Sequence, residues 1–488
     1  MRRLHGTIVC AGLGLLVASC AQIIGLEDRP ALDESGPGTC EGTLNVRILA
    51  NHTGPTADVD DPKTVAIVDV LDSINAGGGI HGCQIDYGEI GDASYVPANA
   101  ATLYDGWRRA SGWDDVSAIF ANGTPVIGAV ARAAEEDHKV VMATSFSAAH
   151  ASPQPVSHEV DIPHLREDFE EVTRADQQKS SDGYPYLFFQ GTDYSTAARG
   201  AMDFVVQQGG RRIGFFYDFE SSYAAPPVEA AKTYLATQPL AIGRDLDVSM
   251  DLSVTTVEAV RTAAIEYFTA EFEHQLQEPD YVAVDWLWFG NTRASASVTC
   301  QAMAGVSEHF AANPIDGIDT SGFVPKVIAN NWAVDELTHS ETGGACSGNW
   351  WVVQPFALYG DMSAIGMSEL LRTYDTYRTK STHLADEDPA LIKVVSYVVG
   401  YVTARTWELA ATAAVERGER VTGATLKASL EALDNQNLDG LTAGPISYTP
   451  DDHRPQSRVY VYRLASDGKL EQDGIPIDTP LKSEWLGW

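Results

Sequence analysis

The sequence predicts an α/β protein of two units, each built on a parallel sheet, with the chain passing between them more than once. Three observations carry that expectation. Short apolar, β-branched runs alternate with helical apolar periods from Leu44 to Ala143. After a polar break the same rhythm resumes at Arg212. Long helical patterns then occupy residues 363–433, and a β-rich stretch closes the chain.

Leu44–Ala50 reads as a strand through its alternation. Thr64–Asn75 reads as a helix because Val65, Val68, Leu71 and Ile74 share one face. Gln84–Ile90 follows as a strand, Pro97–Ser111 as a helix, Val116–Phe120 as a strand, Pro125–His138 as a helix and Lys139–Ala143 as a strand. Residues 151–184 are rich in Pro, Ser, His, Asp and Glu and read as a surface insertion with room for a short helix. Beyond it, strands are expected at Arg212–Tyr217, Leu246–Val254, Tyr281–Phe289, Lys326–Ala329 and Trp350–Gln354. Helices fall between them at Val228–Thr237, Glu258–Gln277 and Thr292–Ala312. Helices at Ser363–Tyr377, Ala390–Glu416 and Gly423–Leu433 precede β segments at Gly444–Tyr448 and Arg458–Leu464, the latter read as part of a closing hairpin.

Composition narrows the function classes. The chain has 488 residues, 44% hydrophobic and 20% charged, which is enough to bury a core and excludes wholesale disorder. Its 33 basic residues face 67 acidic ones, a net charge of -34. Nucleic acid is excluded as a partner through a basic surface, and so is charge-driven docking on anionic lipid.

Arg2 and Arg3 precede an apolar run from Ile8 to Val17, the pattern of a secretory signal and too short to span a bilayer. The run ends in Val17-Ala18-Ser19-Cys20, which resembles the bacterial lipobox. That resemblance implies residues 1–19 as a signal, cleavage before Cys20 and a lipid on its thiol. Loss of Arg2 and Arg3 takes the net charge from -34 to -36. Ala21 rather than Asp after the cysteine favours the outer membrane, on the periplasmic side of a cell envelope. Residues 20–43 read as a tether without apolar period. The apolar stretch Leu391–Ala404 is cut by Lys393 and reads as a buried helix, not a membrane span. Cys10 lies in the signal, so Cys40, Cys83, Cys300 and Cys346 remain for disulfides in an exported chain. Three connectivities are open. Cys40–Cys83 with Cys300–Cys346 is favoured because each pair flanks neighbouring elements.

Gly77-Gly78-Gly79-Ile80-His81-Gly82 formally matches G-x-G-x-x-G, but a helix precedes it and a strand follows. A dinucleotide site needs the reverse order, so a helix stop and a tight turn are expected instead. No C-x-x-C, P-loop, nucleophile-elbow or zinc-protease motif occurs, and the residues point to no cofactor, metal or enzymatic nucleophile. Gly123-Thr124-Pro125 stands between a strand and a helix, with Thr124 expected as N-cap and Pro125 at the first helical position. Ser145-Phe146-Ser147 leaves the next strand in the same manner. Hydroxyls at two adjacent strand ends mark the usual ligand position of an open α/β sheet.

The ordered pieces resemble the type 1 periplasmic binding proteins, in the leucine/isoleucine/valine-binding branch of ABC-importer receptors. They are Thr53-Gly54-Pro55, Ile74-Asn75 with Gly78-Gly79-Ile80-His81-Gly82, Tyr217-Asp218 with Tyr223, Asp439-Gly440-Leu441-Thr442 with Gly444-Pro445-Ile446, and Val459-Tyr460-Val461. The resemblance covers about Leu44 to Leu470. It implies two Rossmann-like doubly wound lobes joined by three crossovers. Residues 44–188 and 355–443 would form the first lobe, and 189–354 and 444–488 the second. It implies a small-molecule ligand, amino acid-like, in the cleft between them. Carried over, the ligand-binding positions are Gly123, Thr124, Ser145, Ser147, Tyr223, Trp286, Trp288 and Asn331. One departure stands out: where the family places an acid for the ligand's ammonium, this chain has Asn330-Asn331-Trp332. Asp285 or the acidic loop Asp58–Asp61 is then the substitute source of charge. The partner implied is a membrane permease, the membrane itself being reached through the lipid. A sensor of the same fold that signals to a membrane partner is the alternative.

Overall fold

The computed structural model describes residues 40, 42–159, 178–278, 280–378 and 388–488. The expected signal, Cys20, nearly all of the tether and the middle of the insertion lie outside the described residues.

The first part runs β1 (Thr43–Ala50), α1 (Ala57–Ala76), β2 (Gln84–Asp86), β3 (Gly91–Asp92), α2 (Pro97–Arg109), β4 (Val116–Ala121), α3 (Thr124–Glu136), β5 (Val140–Ala143), β6 (Val156–Glu159), β7 (Gln178–Ser181) and β8 (Leu187–Phe188). The next runs α4 (Tyr194–Gln207), β9 (Arg212–Tyr217), α5 (Ala225–Leu235), β10 (Ala241–Asp247), α6 (Val257–Gln277), β11 (Trp286–Gly290), α7 (Arg293–Ala312), β12 (Lys326–Ala329), α8 (Thr338–Thr342) and β13 (Trp350–Gln354). The last runs α9 (Met367–Tyr377), α10 (Pro389–Ile392), α11 (Val395–Glu416), α12 (Gly423–Glu431), β14 (Arg458–Leu464), β15 (Leu470–Gln472) and β16 (Ile477–Asp478).

Two sheets result. The first has the order β2-β1-β4-β5-β8, all parallel, with β3 also beside β1. The second has the order β10-β9-β11-β12-β13-β14-β15, parallel up to β13 and antiparallel beyond it, with β16 on β14. The helices of residues 367–431 return to the first lobe: α9 and α11 pack on α1, and α12 packs on β4 and β5. The chain therefore crosses between lobes three times, after β8, after β13 and before β14. The insertion appears as the antiparallel pair β6–β7.

Several expectations shift at element ends. The acids Asp58–Asp61 are not a loop; α1 begins at Ala57 and runs through Pro62. Asp58 and Asp60 in the first turn complement the helix dipole, and burial of Val59 and Val65 outweighs the hydrogen bond that Pro62 cannot give. The strand read at Tyr281–Phe289 starts only at Trp286. The Ala283 and Val284 amides are taken by Gln275 Oε1 at 2.9 Å and Glu271 Oε2 at 3.3 Å instead of the ladder. β10 ends at Asp247, and Asp251 turns the chain by accepting the Ser253 amide at 2.8 Å. The long helix expected from Ala390 breaks between α10 and α11, where Glu336 of the second lobe accepts the Val395 amide at 2.9 Å. Gly444–Tyr448 forms a single bridge, Gln436 to Ile446, rather than a strand. Gly77–Gly82 is the helix stop and turn expected, with Gly78, Gly79, His81 and Gly82 all at positive φ. The disulfides are Cys40–Cys83 and Cys300–Cys346. No helix among the described residues is long and apolar enough to cross a membrane.

α1 is buried beneath α11 at Gly400. A Cβ at residue 400 would stand 2.1 Å from the Lys63 carbonyl oxygen and 2.8 Å from Lys63 Cα, so only glycine permits this crossing. Gly400→Ala should destabilise the protein by about 1–3 kcal/mol, since overpacking has to move one backbone against another. Urea unfolding with unchanged slope and a lowered midpoint is the expected result.

Candidate functional site

β4 and β5 end side by side, and the chain leaves each in a loop facing the second lobe. After β4, Gly123 takes φ 83° and caps α3 without a side-chain bond. Thr124 is thus the first helical residue, not the N-cap, because the glycine already makes the turn. A Cβ on Gly123 would lie 2.6 Å from Asn51 Nδ2 and 3.0 Å from the Tyr95 ring. The Gly123 amide donates to Ser145 Oγ at 3.1 Å. Tyr95 and its neighbour Ser94 both sit at positive φ, 62° and 54°. Asn51 Oδ1 holds this strained pair by accepting the Tyr95 amide at 2.8 Å.

These groups form one wall of a narrow cleft of about 20 Å³ lined from both lobes. The first turns of α1 contribute Thr56, Val59, Asp60 and Lys63. The second lobe contributes Tyr194, Tyr223, Thr292 and Trp332. Asp60 and Lys63 are each 2% exposed and meet at 2.8 Å. The other oxygen of Asp60 accepts from Thr56 Oγ1 at 2.8 Å and Asn51 Nδ2 at 2.9 Å. Lys63 Nζ also lies 3.8 Å from the Trp332 ring centre, a cation–π contact across the cleft. Trp332 Nε1 donates to Tyr194 Oη at 2.8 Å, and Tyr194 packs edge-on against Tyr223 at 5.1 Å. Tyr223 Oη donates to the Asn291 carbonyl at 3.4 Å, and burial pushes its phenol well above the usual value. The hydroxyls of Thr124 and Thr292 have no partner among the described residues, though the two residues are only 4% and 3% exposed. The cleft opens outward, past Tyr95, into a basin of about 630 Å³ that carries Asp218, Glu220 and Asp251.

Of the positions expected from the sequence, Gly123, Thr124, Ser145 and Tyr223 come together in this cleft. Ser147 does not line it; it precedes a short 3₁₀ turn at Ala148–His150. Trp286 and Trp288 do share one strand face, but it is the face turned to α4 and α5, where both are buried with Phe215 and Val353. The position that β11 sends into the cleft is Thr292, just past its end. Asn331 is buried beside the cleft, and its carbonyl accepts from Gln354 Nε2 at 2.6 Å. Asp285 sits at the opposite end of β11, accepting the Arg211 and Arg212 amides. Thr56, Asp60, Lys63, Tyr95 and Tyr194 carried no local signal beyond the acids at 58–61. Among the described residues no group of His, Cys, Asp and Glu is placed to hold a metal ion.

A family model described as periplasmic binding protein matches residues 43–469. No curated protein matches the sequence. Many solved structures share the fold. An ABC transporter substrate-binding protein of Aeropyrum pernix superposes with a TM-score of 0.68 at 22% identity, covering 91% of this chain and 98% of that one. A branched-chain amino acid ABC transporter protein of Thermus thermophilus with bound valine gives 0.66 at 14%, covering 91% and 98%. A fatty acid ABC transporter substrate-binding protein of Thermomonospora curvata gives 0.62 at 17%, covering 91% and 95%.

A buried ion cluster ties the lobes together next to the cleft. Arg293, the first residue of α7, is 4% exposed. It meets Asp335 at 2.7 Å and Glu341 at 3.4 Å within its own lobe, and Asp58 of α1 at 3.5 Å across the gap. Burial pushes the Asp58 carboxyl up to about 6 against the lowering pull of Arg293, while Asp335, Asp60 and Glu341 add to the rise. The native carboxyl thus holds its proton more tightly than the unfolded one, whose value is 3.8. Its contribution to stability is complete below about pH 4 and is lost as pH rises through about 6. Asp58→Asn, which stays neutral, should gain on the wild type by up to about 3 kcal/mol between pH 4 and pH 7. Paired urea titrations at the two pH values check this.

Proposed function

The chain belongs to the periplasmic binding protein family, and from that premise we propose that it is the extracytoplasmic solute receptor of an ABC importer. It captures one small polar molecule of amino-acid size between the lobes and presents it to a membrane permease. The observation that carries this reading is the cleft itself, lined from both lobes and furnished with the hydroxyls of Thr124 and Thr292, which no group among the described residues bonds. A hydroxyl both donates and accepts, so Thr124 and Thr292 are free to meet a ligand's polar groups. The first turn of α3 adds the amides of Thr124 and Val126, which no acceptor among the described residues takes. Valine and fatty acids, the ligands named for two similar structures, have a carboxylate in common. A carboxylate suits this helix end.

Residues 44–188 with 355–443 serve as the first lobe and 189–354 with 444–488 as the second. The motifs around Gly54, Gly79, Tyr223 and Gly440 support the leucine/isoleucine/valine-binding branch as the nearest subdivision. The ligand favours closure by binding both lobes at once, without covalent chemistry. A lipid on Cys20 keeps the receptor at the membrane, on the periplasmic side and at the outer membrane, on the strength of residues 2–21.

A thermal-shift screen of amino acids, amides, short peptides and aromatic acids should find a stabilising ligand. At 100 times its dissociation constant a ligand adds about 2.7 kcal/mol. Calorimetry should then show Thr124→Val and Tyr223→Ala weakening binding by about 1–3 kcal/mol each, with Ser147→Ala unchanged. Cys20→Ser should move the protein from the membrane fraction to the soluble one.

A further inference from the structure

Among the described residues the only acidic and basic side chains on the inner wall are Asp60 and Lys63, and they neutralise each other. Asp60 is fully engaged: Lys63 occupies one oxygen, and Thr56 and Asn51 occupy the other. A ligand ammonium buried here would need a carboxylate or an aromatic face. Lys63 already takes the one carboxylate that lines this wall among the described residues, and its ammonium also covers the Trp332 ring. Asn330 and Asn331, which follow β12, bring no charge. The carboxylate that a ligand's ammonium would seek is thus already neutralised by the protein's own.

The remaining wall is rich in donors. Lys63 has three N–H groups, of which Asp60 takes one. The Thr124 hydroxyl and the amides of Thr124 and Val126 are unbonded at the start of α3. Of the acids of the outer basin, Asp218 accepts the Met250 amide at 2.7 Å and Asp251 the Ser253 amide at 2.8 Å, while Glu220 is exposed and lies outside the inner wall.

We propose that the ligand carries a carboxylate with no ammonium beside it, an organic acid such as a 2-oxo acid or aryl-substituted carboxylic acid, received by Lys63 and the first turn of α3. This rests on the receptor reading above and narrows it. Tyr194, Tyr223 and Trp332 then face the apolar body of the acid.

The test is calorimetry on the whole mature protein with matched probes. These are phenylalanine, phenylpyruvate, 3-phenylpropionate and 3-phenylpropanamide, and leucine with 4-methyl-2-oxopentanoate. At least one acid should bind tenfold or more tighter than its amino twin, and the amide should lose that advantage. Thr124→Val should weaken the acid about tenfold. Lys63→Met frees Asp60 and should invert the preference towards the amino twin, a change that loss of folding alone cannot produce. If Lys63→Met does not fold, the wild-type pairs and Thr124→Val decide the matter. An amino acid binding as tightly as its deaminated twin overturns the proposal and leaves the receptor reading standing. So does binding of the amide as tightly as its acid. No binding by any probe overturns the proposal, and the receptor reading then falls only if the wider thermal-shift screen is also silent.

Discussion

The architecture of the cleft depends on one contact between backbones. At Gly400 the helix α11 lies directly on the carbonyl of Lys63, and this closeness buries α1 along almost its whole length. Burial of that kind leaves no room for an isolated charge, because each unpaired ion would cost several kcal/mol. Asp60 and Lys63 are therefore obliged to pair, while the half-buried Asp58 reaches Arg293 across the gap. A packing constraint in the first lobe thus sets the charge pattern that a ligand meets. It also decides which side chains of α1 reach towards the second lobe.

Much of the fold was legible because its signals are local. Val65, Val68, Leu71 and Ile74 mark a helix face without help from the rest of the chain. The parts that moved depend on distant partners. The strand before Trp286 is shortened by Glu271 and Gln275, and α11 starts where it does because Glu336 caps it from the other lobe. The cleft divides in the same way. Gly123, Thr124 and Ser145 could be read from their positions just after strands. Trp286 and Trp288 could be assigned to one face by the period of two, but that period does not say which face looks at the ligand. Lys63 could not be read at all. It sits inside an ordinary amphipathic helix, and its aromatic partner Trp332 comes from the far side of the chain.

The overall charge and the local charge of the cleft point in opposite directions. The chain carries -34, yet the inner wall is neutral in sum and presents amides, hydroxyls and one ammonium. Screening removes most of the influence of surface acids beyond about 10 Å, whereas a buried donor acts at contact. The acidic surface serves solubility, and the site answers to its own few groups. The Asp58–Arg293 contact spans the lobes, but burial makes the Asp58 charge costly there, so the contact is strongest as geometry and weakest as energy.

The Cys40–Cys83 disulfide has a mechanical side. Cys40 stands just ahead of β1 and Cys83 just ahead of β2, its parallel neighbour in the sheet. Tension arriving through the residues before Cys40 is therefore shared between two strands from the first moment. It runs along their axes, so β1 and β2 are drawn as a unit and the β1–β4 ladder takes the shear with all its hydrogen bonds together. Without the bridge the same pull would act on β1 alone. A chain held by its N-terminal segment while its lobes open and close bears such a load at every cycle.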